Sequence, residues 1–113
     1  MSGIFPGDDG PTQVGPSENV YNDVYQERLR QDVKWGQQNW PDGTGGEGTI
    51  MTANHYRDIT NRHAKEGTLT FWDILLEEVF EAGAETEKSM LSEELNQVAA
   101  VCLAWREKIQ RGY

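Results

Sequence analysis

Four carboxylates and one amide are placed where they could do chemistry: Glu77, Glu78, Glu81, Glu94 and Gln97. On a helical wheel at about 100° per residue, Phe71, Trp72, Ile74, Leu75, Leu76, Val79, Phe80, Ala82 and Gly83 cover one broad apolar arc, with Asp73 and Glu77 outside it. Glu78 falls inside that arc, between Ile74 and Phe71, and Glu81 lies at its edge. As i, i+3 neighbours, the two share a face. Further on, Leu91, Leu95, Val98, Cys102, Trp105 and Ile109 are spaced 4, 3, 4, 3, 4, which is a packing seam. Glu94 projects into its margin, and Gln97 sits on the same side one turn later. Packed antiparallel, the two helices bring these groups together. Carboxylates crowded out of water resist being charged, through lost hydration and mutual repulsion. A divalent cation among them removes both penalties, and an all-oxygen ligand set suits Mg2+, with Mn2+ as a substitute. Surface acids at the rim of an amphipathic helix would give the same spacing with no ion, because Glu is a good helix former.

The elements that must position these groups are helical, and the fold class expected is all-α, a bundle of about four helices. The first helix is expected over 19–35, where Val20, Tyr21, Val24, Tyr25 and Leu29 recur at helical spacing before Gly36. A Gly-rich loop at about 36–49 follows, containing the turn signals Pro41 and Asp42-Gly43. The second helix covers roughly 50–66 and stops at Lys65 and Gly67. The third begins at Thr70, with Asp73 completing a capping box, and runs to about 85. The fourth covers roughly 90–111, with Ser89 or Ser92 as its cap. Residues 1–18 are rich in Gly, Pro and Asp and read as a disordered or loosely attached arm, leaving 19–113 as a single helical domain.

The chain has 113 residues and a net charge of −9, with a pI near 4.6. That charge argues against binding a nucleic-acid polymer, which needs a basic footprint. No apolar run is long enough to span a bilayer, and no signal-peptide pattern opens the chain, so no membrane association and a cytoplasmic location are expected. The single cysteine, Cys102, allows no intrachain disulfide and reads as a small core residue. So little helical material buries a modest core, and self-association is expected to complete it.

Glu77-Glu78-x-x-Glu81, twelve residues, then Glu94-x-x-Gln97 resembles the EExxE…ExxD signature of the MazG-like all-α nucleoside triphosphate pyrophosphohydrolases. The likeness extends over about 70–111, including "VAAVCLAWREKI", and "RQDVKWGQQNWPDGTG" is similar to a segment upstream of the motif in some MazG-like proteins of actinobacteria and their phages. The resemblance implies hydrolysis of a (d)NTP or related nucleotide between the α and β phosphates, giving a monophosphate and pyrophosphate. It implies Mg2+ on Glu78, Glu81 and Glu94, and a leading Glu77 that lies near the site and holds a water or a second metal. It also implies a helical bundle completed as a homodimer or homotetramer. Triphosphate cleavage suits such a residue set, since positioning and charge stabilisation carry phosphoryl transfer. Gln97 departs from the family's Asp. It could still ligate Mg2+ or hold a ligating water, but it removes one negative charge, which keeps open a non-catalytic alternative, a nucleotide-binding sponge for a signalling nucleotide, phage-encoded or not.

Lys34, Trp35, Gln38, Asn39 and Trp40 cluster after the first helix, where Lys34 would meet phosphate and a Trp would stack on a base. Equally, Trp35 and Trp40 would anchor the loop while Lys34 stays solvated. Arg57, Arg62 and Lys65 are further cations within reach of phosphate. His55 and His63, eight residues apart, fall roughly 80° apart on a helix and lack the spacing of a zinc pair. "PDGTGGEG" lacks the Lys-Ser/Thr of a P-loop. A purely structural helical interaction domain is the third reading, and it would have no Mg2+-dependent stability.

Overall fold

The structure, a computed structural model, describes residues 15–113. These form four α-helices and no strand: α1 (Glu18–Trp35), α2 (Thr49–Glu66), α3 (Phe71–Ala84) and α4 (Lys88–Gln110). The expected all-α class is borne out, and most helix boundaries follow from residues at the caps. Two compact units are distinguished. One holds the described residues up to Asn39 together with Leu103–Tyr113, and the other is Trp40–Cys102. The expected arm lies largely outside the described residues.

In the first unit, Ser17, inside the segment expected to be loose, caps α1. The Ser17 hydroxyl accepts from the Val20 amide, and the Ser17 amide donates to Glu107 Oε2 at 2.8 Å. Such a cap satisfies a helix-start amide that has no partner within the helix. Val20 is fully buried, and Arg106 pairs with Asp23 at 2.9 Å. The rest of the expected apolar stripe is not covered: Tyr21, Val24, Tyr25 and Leu29 are between 42% and 60% exposed.

The second unit is organised by the α2–α3 hairpin. Ala53 and Thr60 of α2 and Ala82 of α3 are buried, and the Tyr56 ring stacks on Phe80 with centroids 4.6 Å apart. Gly67 turns α2 into α3. Its left-handed φ of 73° lets its own amide reach Ala64 O, while the Thr68 amide reaches His63 O at 2.9 Å. The expected capping box then starts α3. Thr70 Oγ1 accepts from the Asp73 amide and the Asp73 carboxylate accepts from the Thr70 amide, both at 3.1 Å. At the other end, the Gly45 amide donates to Gly83 O at 2.8 Å, and Lys88 pairs with Asp42 at 2.8 Å. The Gly-rich loop is thereby fastened to the end of α3. At Gly45, φ is +78° and an added Cβ would collide with Thr86 Cγ2, so glycine is required there.

Two expectations about α4 are corrected. Its first turn begins at Lys88, with the Leu91 amide donating to Glu87 O at 2.9 Å, so neither Ser89 nor Ser92 is the cap. The turn after α3 is short enough that both serines already lie inside the helix, and Ser89 Oγ donates to the Glu87 carboxylate instead. The seam is also less covered than its spacing implies. Leu91 is buried, but Leu95 and Ile109 are more than half exposed, and Cys102, expected in the core, is exposed. The reason is that periodicity marks an apolar face without supplying a partner for it. None of the helices is long and apolar enough to cross a membrane.

Candidate functional site

α3 places Glu78 and Glu81 one turn apart, and α4 supplies Glu94. One carboxylate oxygen of each lies within 4.8 Å of the other two, and all three side chains are half-buried. Among the described residues, this is the cluster of acids with a metal's ligand spacing. Glu78 Oε2 and Glu94 Oε2 are shielded from solvent and have no hydrogen-bond partner. A buried polar atom without a partner is destabilising by about 1–3 kcal/mol, more when charged, so these two oxygens are the strained points of the site.

The electrostatics follow from that crowding. Glu78 is pushed up to about 7, first by burial and then by Glu81, Glu94 and Glu77, with Arg57 opposing. Burial and then Glu81 and Glu85 raise Glu94. Burial and then Glu81 raise Glu77 as well. Glu77 falls outside the apolar arc of the wheel, yet it is half-buried, because Thr60 on α2 faces it. The wheel ranks positions within one helix and does not see what the neighbouring helix covers.

Arg57 of α2 reaches into the group. Its Nε and Nη2 donate to Glu81 Oε1 at 3.3 and 3.1 Å, and its Nη1 donates to Asn54 Oδ1 at 2.8 Å. A cavity of about 290 Å³ opens beside these residues, lined among others by Ala53, Asn54, Arg57, Glu81, Glu85 and Glu94. Sequence reasoning gave Arg57 no particular place among the cations. A signal was available: it lies four residues after Ala53 and three before Thr60, on the strip of α2 that is buried against α3.

The remaining site candidates sort as follows. Gln97 is exposed on α4, one turn past Glu94. Lys34, Trp35 and Gln38 belong to the first unit, where the Lys34 ammonium sits 4.9 Å from the Trp35 ring centroid, and Trp40 begins the second. Trp40 is 70% exposed and does not line the cavity. His63, set aside as a metal ligand, has a different task. Its Nδ1 lies 2.9 Å from Asp73 Oδ2, holding that carboxyl below its ordinary value and backing the capping box of α3.

The donor set is all oxygen, and two of its buried atoms lack partners, which fits a hard divalent cation. No family model, curated protein or solved structure matches the chain.

Proposed function

We propose that the chain is a Mg2+-dependent nucleotide pyrophosphohydrolase of the MazG-like kind, cleaving a (d)NTP or related nucleotide to its monophosphate and pyrophosphate. The observation that carries this reading is the convergence of Glu78, Glu81 and Glu94 beside a cavity, with two buried carboxylate oxygens left unpartnered. The resemblance of their spacing to the EExxE…ExxD signature supports it independently. Glu78, Glu81 and Glu94 hold the cation. When bound, the cation supplies charge neutralisation at phosphate oxygens and a water of lowered pKa. Glu77, its carboxyl raised by burial and then by Glu81, accepts the proton of the attacking water. The exposed apolar faces of α1 and α4 are covered in a homodimer or homotetramer, and the protein works in the cytoplasm.

The test is incubation of the full chain with Mg2+ and a panel of nucleoside and deoxynucleoside triphosphates while pyrophosphate is followed. Release from at least one nucleotide is expected. No release from any, with the protein folded, refutes the enzyme. The second reading, a nucleotide-binding sponge without turnover, rests on Gln97, a neutral group in place of an acid. Calorimetry that finds tight binding and recovers the nucleotide intact favours it. Gln97→Asp then discriminates, because a gain in turnover identifies a damped catalytic site.

A further inference from the structure

Among the described residues, Arg57 is the only basic one lining the cavity, and three acids, Glu81, Glu85 and Glu94, line it too. A polyphosphate entering there meets repulsion from every charged wall but one. Arg57 is at present engaged by Glu81, the same carboxylate that offers an oxygen to the metal cluster. That pair is not sealed off, since the Arg57 side chain is 45% exposed. A half-exposed ion pair holds its partners weakly. Three of the five guanidinium N–H groups are used, on Glu81 and Asn54, which leaves two for another acceptor. Asn54, three residues earlier on α2, gives the guanidinium a second anchor that does not depend on Glu81.

Resting on the metal reading above, we propose that Arg57 is the phosphate-binding residue of this site, held in reserve by Glu81 until a cation takes that carboxylate. Arg57 and the cation compete for Glu81 in the absence of substrate and cooperate on the polyphosphate in its presence. The planar fork of arginine suits two phosphate oxygens at once, and lysine offers only a point charge. The site therefore selects for a chain of at least two phosphates, one on the cation and one on Arg57.

The experiment titrates Mn2+ alone, and then inorganic tripolyphosphate in saturating Mn2+, into the full-length wild type, Arg57→Gln and Arg57→Lys by calorimetry, with melting curves to establish folding. Arg57→Gln is expected to bind Mn2+ alone as tightly as wild type or up to about fivefold tighter, the scale of one exposed ion pair. It is expected to bind tripolyphosphate about tenfold or more weakly, the scale of a charge-assisted contact. Arg57→Lys falls between. Tripolyphosphate binding unchanged in Arg57→Gln overturns the assignment and leaves the metal site standing. Parallel loss of Mn2+ and tripolyphosphate in Arg57→Gln also overturns it, since Arg57 would then be only a support for the acids. Failure of the wild type to bind Mn2+ refutes the metal reading itself, and this assignment with it.

Discussion

The two helices that supply the acids are held in different ways. α3 is sealed at its start by Thr70 and Asp73, with His63 behind them, met at its end by Gly45, and packed along one face on α2. α4 has Glu87 at its cap position and one buried residue, Leu91, and much of its apolar seam is exposed. Glu78 and Glu81 are thus fixed by the hairpin, while Glu94 rides on a helix whose polar ties lie towards its ends, at Lys88, Arg106 and Glu107. A cation shared by the three would tie the second helix to the first, and the pairing of a firm half with a loose half can be broken experimentally.

The largest effect is expected at Glu78. Glu78→Gln should lower Mg2+ affinity about a hundredfold or more, given that even residues behind metal ligands are worth roughly 10–100-fold. It should also abolish the rise in melting temperature that Mg2+ bound at the proposed site would produce by linkage. A full Mg2+-dependent rise in this variant contradicts the metal site. Next in size is a contrast within α4. Leu91→Ala should destabilise by about 2 kcal/mol, the lower end for a buried leucine, and Leu95→Ala, at a position exposed in the single chain, by less than about 0.5 kcal/mol unless the proposed oligomer covers it. Chemical denaturation that finds equal losses would mean that Leu95 is covered in solution by another copy.

The caps give a smaller contrast. Thr70→Ala should cost about 1 kcal/mol, whereas Ser89→Ala should be nearly silent, because Ser89 caps nothing. Equal costs in thermal melts would restore the serine as a cap. The smallest effect is the pH dependence of the metal-free protein. The Glu78 carboxyl is raised from its ordinary 4.5 to about 7 in the folded state. Its contribution is therefore fully present below about 4.5 and is lost as pH rises through about 7. Melting temperature should fall by a few degrees between about pH 5 and pH 8, a modest figure because solvent screens a half-exposed group. Asp73 acts outside this window, since its carboxyl is lowered from 3.8. A Glu78→Gln variant that keeps the whole slope would place its origin elsewhere.

What the sequence made legible was local. Gly36, Gly67 and the Thr70–Asp73 box mark helix ends because caps are satisfied within a few residues of the chain. Glu78, Glu81 and Glu94 could be grouped because two i, i+3 faces and an antiparallel hairpin leave them few other places. Features that depend on which helix faces which were not legible. The Arg57–Glu81 pair needs the register of α2 against α3, and the half-burial of Glu77 needs Thr60 across the hairpin. Cys102 and Leu95 obey the seam's spacing exposed or covered alike, so periodicity alone could not say which.

Gly45 has a consequence for how the molecule opens. The carbonyls at the end of a helix have no donor within it, and Gly83 finds one in a segment nearly forty residues upstream in the chain. The last turn of α3, from which Glu81 projects, cannot fray without the loop coming away, and the loop cannot lift without exposing that turn. Amide exchange at Gly45 and at the end of α3 should therefore proceed with one shared opening free energy.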